Sequence, residues 1–242
     1  MKITVLTLFP EMFNDFLSTS IVGRSISRGL AEVEFVQIRD FAHDRYRHVD
    51  DSPFGGGAGM VMKVQPVLDA LNSVKQENSY TLLMSPAGTA FSQKKAHEYA
   101  RKDHLIFLCG HYEGLDHRIE KYADECVSIG DYVLTGGELP AMVIMDSVIR
   151  LLRGSITEGS TEEESHENGL LEYPQYTQPA DYNGDKVPDI LLSGNHAKIR
   201  EWRILQSLLL TREKRPDLFA KHVLSKEEEK ILKKYEKEQN EK

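Results

Sequence analysis

Apolar residues along the first 150 positions fall in short bursts separated by amphipathic stretches. Residues 2–8, 80–84, 104–109 and 125–129 are brief apolar runs, and residues 33–39 (Val33-Glu34-Phe35-Val36-Gln37-Ile38-Arg39) alternate. All five are too short for stable helices and are rich in β-branched or aromatic side chains, so they are predicted strands. Between them, residues 10–17, 22–30, 65–75, 92–102, a short piece near 116–122, and 138–152 carry helical patterning. Pro66 is tolerated because it falls in the first turn of its helix. Strands alternating with helices predict an α/β layer with a mostly parallel sheet.

The pattern changes after residue 153. Residues 154–169 are acidic, lack Lys and Arg, and have almost no apolar content, which predicts a mobile linker or lid. Pro174, Pro179 and Pro188 then favour an extended segment. Helical patterning returns over 195–211, 216–222 and 225–239, the last opened by a Ser225/Glu228 capping box. The expected organisation is therefore an α/β domain over 1–153, a linker over 154–169 and a small helical domain over 170–242.

A chain of 242 residues is long enough to bury a substantial core. It has no apolar stretch of bilayer-spanning length, and Met1–Leu8 is too short an apolar run for a secretory signal. The expectation is a cytoplasmic protein, away from membranes, with Cys109 and Cys126 reduced. A net charge of −8 argues against coating nucleic acid by bulk electrostatics, but leaves room for a local basic site.

Candidate chemistry gathers where strands end. Ser85-Pro86-Ala87-Gly88, Gly110-His111-Tyr112-Glu113-Gly114 and the run Ser128 to Pro140 each follow an apolar burst and carry glycines. Loops of this kind at adjacent strand ends build a ligand pocket, and glycine lets a flat ligand approach the backbone. A fourth loop, Gly55-Gly56-Gly57-Ala58-Gly59, is either a flexible turn or a receptor for a flat group. Glu113 is a loop carboxylate suited to water, a ribose hydroxyl, a metal or an amine. Arg150, late in an apolar helix, either offsets the helix dipole or faces the pocket rim. His196, Arg200 and Arg203 recur at helical spacing, as on a solvated helix or a nucleic-acid surface. No Walker A loop, G-x-G-x-x-G, H-E-x-x-H or C-x-x-C occurs, which removes support for P-loop, dinucleotide and structural-zinc readings.

Six collinear motifs closely resemble the bacterial tRNA (guanine-N1)-methyltransferase family. They are Leu8 to Phe13, Val49-Asp50-Asp51 with the Gly55–Met60 loop, Cys109 to Gly114, Ile129 to Pro140, Gly169 to Thr177, and Leu191 to His196. The resemblance implies a knotted catalytic domain with a deep trefoil knot, a homodimer with its active site at the interface, and a helical C-terminal domain that binds tRNA. It implies S-adenosylmethionine as methyl donor and N1 of the guanosine immediately 3′ of the anticodon as acceptor. By the same likeness Pro86, Gly88, Gly110, Tyr112, Gly114, Ile129, Gly130, Tyr132, Leu134, Gly136 and Gly137 line the donor pocket. Arg150 would hold guanine O6, Glu164 would be the general base, and Glu113 would complete the catalytic set, with Mg²⁺ near it or the substrate. Gly55, Gly56, Gly57, Gly59, Tyr176, His196, Arg200 and Arg203 would contact the RNA.

The chain departs from the family pattern mainly in the linker. Glu164 stands where Asp is usual, with Glu162, Glu163 and Glu167 as neighbouring carboxylates. Arg153 precedes Gly154 where proline is favoured, and Gln178 replaces a basic residue before Pro179. Two alternatives follow: an RNA-binding protein that keeps the donor pocket with weakened chemistry, and a knotted methyltransferase acting on another RNA.

Overall fold

The computed structural model describes residues 1–157 and 163–241. It divides into two units, Met1–Glu158 and Gly159–Lys242. The expectation of a lid over 154–169 falls partly on 158–162, which lie outside the described residues.

The first unit is built on strands β1 (Lys2–Thr7), β2 (Glu32–Gln37), β5 (Ser79–Ala90), β6 (His104–Leu108) and β7 (Glu125–Ser128). They form one sheet in the order β2-β1-β6-β5-β7, with every pairing parallel. Successive side chains of a strand point to opposite faces, and the core divides accordingly. Ile3, Val5, Leu82, Leu105 and Phe107 pack on one face beneath helix α5 (Glu138–Ile149), through Ile144, Met145 and Val148. Leu6, Leu83, Ile106 and Leu108 pack on the other beneath helix α3 (Val64–Val74), through Val67 and Leu71. Two buried faces explain why β1 and β6 read as continuous apolar runs rather than alternating ones.

Helices α1 (Asn14–Ser18), α2 (Ser20–Ser27) and α4 (Gln93–Tyr99) complete the layers. The helix expected over 10–17 is split, its first turn being a 3₁₀ segment from Pro10 to Phe13. The piece near 116–122 is likewise 3₁₀, over His117–Tyr122. A two-stranded pair, β3 (Asp50–Asp51) with β4 (Val61–Met62), was not foreseen because each strand is only two residues long.

Two expectations are corrected. Ser85–Gly88 is not the loop after a strand but an excursion inside β5, whose register against β7 shifts between Met84 and Thr89. Gly88 has the backbone of Cys126 and Val127 against its Cα, so the strand can close onto β7 there. The start of the linker is also packed structure. Ser155 is buried, its Oγ donates to the Ile149 carbonyl at 2.7 Å, and Ser25 Oγ donates to it at 3.0 Å.

The second unit holds the hairpin β8 (Asp181–Tyr182) with β9 (Asp185–Lys186), and helices α6 (Asp189–Leu192), α7 (His196–Lys214), α8 (Pro216–Phe219) and α9 (Lys226–Asn240). The capping box at Ser225 and Glu228 opens α9. The unit's buried positions among the described residues are Leu170, then Leu208 and Thr211 of α7, and Ile231 and Leu232 of α9. Thr211 Oγ1 accepts from the Leu171 amide at 2.8 Å, and Ser207 Oγ donates to the Leu171 carbonyl at 2.5 Å, which fixes the extended segment to α7. Among the described residues no helix is long and apolar enough to cross a membrane, and Cys109 and Cys126 are free thiols.

Candidate active site

A cavity of about 290 Å³ opens at the carboxyl ends of β6 and β7, beside the excursion within β5. Parallel sheets place ligands at this end, because successive loops there splay apart around a crevice. Pro86, Gly110, Tyr112, Glu113, Gly114, Ile129, Gly130, Tyr132, Leu134, Gly136 and Gly137 all line it. Gly88 does not; it is committed to the β5–β7 contact. His111, Ser85, Asp116 and Glu120 also face the cavity, and sequence reasoning passed over them as lining residues.

The loops are held by backbone contacts. The Gly137 amide donates to the Gly110 carbonyl at 2.8 Å, and His111 bridges Gly136 in antiparallel fashion. A side chain at Gly137 would put Cβ 2.7 Å from Cys109 Cα and 3.0 Å from the Gly110 nitrogen. From below, the Met62 amide donates to the Gly114 carbonyl at 2.9 Å and the Asp116 amide donates to the Met62 carbonyl at 3.0 Å. The short β3–β4 pair thus underpins the 110–116 loop. Tyr112 sits at φ 61, a left-handed conformation uncommon outside glycine.

The glycine-rich loop reaches the same rim. Gly55, Gly56, Gly57 and Gly59 all have positive φ, and the Glu113 amide donates to the Met60 carbonyl at 3.0 Å. A Cβ on Gly59 would lie 2.5 Å from Glu113 Oε1, so the loop passes directly over that carboxylate. Phe54 beside it is fully exposed.

Fixed charges frame the cavity. The Arg118 side chain donates two hydrogen bonds to Asp116, at 2.9 and 2.8 Å, and pulls its carboxyl down to about 2. Burial, helped by the nearby Glu138 carboxylate, pushes the Cys109 thiol well above its ordinary value, so it is an inert core group rather than a nucleophile. Among the described residues no group of three or more His, Cys, Asp or Glu side chains is arranged to hold a metal ion.

The comparisons with known proteins agree over most of the chain. The family model described as "tRNA (Guanine-1)-methyltransferase TrmD" matches residues 1–221. The chain belongs to this family. It is 58% identical over 226 residues to a tRNA (guanine-N(1)-)-methyltransferase of Ruminiclostridium cellulolyticum, covering 91% of this chain and 97% of that protein. Enzymes with the same name from Clostridium perfringens and Clostridium botulinum are each 51% identical, over 235 and 239 residues. Those matches cover 96% and 98% of this chain, and 99% of each relative.

In this guanine-1-methyltransferase family member, Arg150 caps the C-terminus of α5 and is half-buried. Glu164 belongs to the second unit, in a turn where its carbonyl accepts from the Glu167 amide at 3.2 Å. Tyr176 is exposed, with its ring 6.3 Å from that of Trp202. The spacing of His196, Arg200 and Arg203 fits a solvated helix or a nucleic-acid surface, and two of the three cations have acidic partners. Arg200 pairs with Glu227 at 3.1 Å. Arg203 lies 4.7 Å over the Tyr173 ring and 3.7 Å from Glu163, whose carboxylate also accepts from Tyr173 Oη at 2.9 Å. Acidic partners come from elements distant in sequence, which helical spacing alone does not reveal.

Proposed function

We propose that this protein transfers a methyl group from S-adenosylmethionine to N1 of the guanosine immediately 3′ of the anticodon in tRNA. The observation that carries the proposal is the glycine-lined cavity at the ends of β6 and β7 and the excursion of β5, in a chain of this family. Its volume is near the lower end for small-ligand pockets, and the approach at Gly137 makes a cradle that any Cβ would fill. Backbone amides and carbonyls of the 110–114 and 130–137 loops supply donors and acceptors for an adenine edge. In this reading the segment is threaded as a deep trefoil knot, which rests on the resemblance to the family.

S-adenosylmethionine, when bound, supplies an electrophilic methyl group. The protein's part is to make guanine N1 a nucleophile and to align it. Glu164 takes the N1 proton as general base, and the Arg150 guanidinium stabilises the charge that moves onto O6. Glu113, under the glycine-rich loop, orients the acceptor nucleotide. Gly55, Gly56, Gly57 and Gly59 admit the RNA backbone, while Tyr176, His196, Arg200 and Arg203 engage the tRNA beyond it.

The working form is a homodimer. Helix α5 is apolar on nearly every side: it buries Ile144, Met145 and Val148, yet leaves Leu139 and Val143 each 46% exposed. A helix apolar all round belongs in an interior, and a second copy supplies the missing cover. The three parts, 1–153, 154–169 and 170–242, act as catalytic domain, linker and tRNA-binding domain, in the cytoplasm.

The test is methyl transfer from labelled S-adenosylmethionine to two tRNA transcripts that differ only in G or A just 3′ of the anticodon. Transfer to the G transcript alone is expected. Equal transfer to both would move the target elsewhere. Donor binding without transfer to either would favour the RNA-binding reading.

A further inference from the structure

A buried acid lies behind the cavity that the proposed chemistry leaves unused. Glu138, at the start of α5, is 1% exposed. Thr7 Oγ1, at the end of β1, donates to its Oε1 at 2.7 Å and itself accepts from the Phe9 amide at 2.9 Å. The other oxygen, Oε2, faces His111 Nδ1 across 4.0 Å. That nitrogen is buried and has no hydrogen-bond partner among the described residues. The ring is held between Phe9, 4.8 Å away, and Tyr112, 5.2 Å away and edge-on. Both Glu138 Oε2 and His111 Nδ1 occupy the space a Cβ on Gly136 would need.

A buried imidazole nitrogen without a partner is costly, and the buried carboxylate oxygen facing it is its nearest favourable acceptor. The gap between them exceeds a charge-assisted hydrogen bond by roughly 1 Å. His111 belongs to the loop that lines the cavity, whereas Glu138 is anchored on α5 and β1. A ligand that draws the 110–114 loop inward therefore closes the gap.

We propose that Glu138, acting through His111, is a positioning residue for the methyl donor: seating the donor brings His111 Nδ1–H onto Glu138 Oε2 and fixes the 110–114 loop around it. The inference rests on the reading of the cavity as the S-adenosylmethionine site. The closed pair requires the tautomer with the proton on Nδ1, so the opposite ring nitrogen is left as an acceptor or second donor.

The experiment is calorimetric titration of S-adenosylmethionine into the full-length wild type, Glu138→Gln, His111→Asn and the double variant, with tRNA affinity measured alongside. Donor affinity should fall about tenfold in each single variant, the size of one charged hydrogen bond. The double variant should be no worse than either single one, and tRNA affinity should be unchanged. In imidazole-labelled wild type, a downfield Nδ1 proton resonance of His111 should appear only on donor addition and be absent from Glu138→Gln. Additive losses, unchanged donor affinity, or a resonance already present without donor would overturn the proposal. Should Glu138→Gln fail to fold, His111→Asn and the wild-type spectrum decide it. A wild type that binds no S-adenosylmethionine would instead overturn the donor reading, and the positioning role with it.

Discussion

The Gly137 amide donates to the Gly110 carbonyl across 2.8 Å, fastening the chain that leaves β7 to the loop that leaves β6. A Cβ on Gly137 would meet Cys109 Cα at 2.7 Å, and the Gly110 nitrogen and Met84 Cβ at 3.0 Å. These are backbone and first side-chain atoms, which cannot rotate away. Gly137→Ala should therefore cost about 1–3 kcal/mol as overpacking and weaken S-adenosylmethionine binding at least tenfold. Thermal denaturation and donor titration check both effects; a stable, tight-binding variant would mean the loops are not closed at this point.

Gly59 and Glu113 make a separable case. Gly59 has φ 82 and a Cβ there falls on the Glu113 side chain, not on backbone. Gly59→Ala should displace the carboxylate while leaving the rest of the cavity lining in place. Single-turnover transfer is expected to slow by about 10²-fold, as for a misplaced catalytic group, with donor affinity within twofold of wild type. Equal loss of donor affinity would show that the glycine loop shapes the cavity itself.

The roles proposed for Arg150 and Glu164 are confined to the transition state. Arg150→Lys and Glu164→Gln should each lower the single-turnover rate by about 10²–10³-fold with little change in donor or tRNA affinity. Glu164→Asp, which restores the family's usual residue, should stay active. A loss of tRNA affinity that accounts for the whole effect would assign these side chains to binding.

Acid stability should follow Glu125 on β7. Burial by itself would raise its carboxyl, but hydrogen bonds from Lys95, Thr89 and Tyr99 and the Lys95 charge outweigh it and hold it below the ordinary value of 4.5. A carboxyl depressed in the folded state contributes stability above its unfolded value and loses it as pH falls through the folded one. Wild type should lose stability below about pH 4.5, and Glu125→Gln should be less stable at neutral pH but flatter in that acid window. Chemical denaturation from pH 7 downward measures this. Parallel curves for the two proteins would remove Glu125 as the cause.

The outer face of α5 predicts the assembly. Leu139 and Val143 are four residues apart and so share a face, and both are exposed. Sedimentation velocity should find a dimer, and Val143→Asp should shift it to monomer with loss of transfer. A monomeric, active wild type would contradict this.

Local periodicity by itself determined the strands β1, β2, β6 and β7 and the principal helices, because the burial of a strand or helix face is written in spacings of two to four residues. The glycines of 110–114 and 128–140 likewise announced a pocket, since a close backbone approach excludes every other residue. Tertiary structure alone decided the rest. β1 lies beside β6, a hundred residues downstream, and β7 joins β5 at the edge, so the loops that meet are far apart in the chain. Ser85–Gly88 became an excursion within a strand because β7 was available to pair on either side of it. Arg200 and Arg203 found acidic partners in Glu227 and Glu163. Glu138, which sequence patterning placed merely at a helix start, met Thr7 and His111 only when β1, β6 and α5 converged. Contacts of that kind depend on which elements become neighbours in space, a property of the whole packed chain that no short window of residues contains.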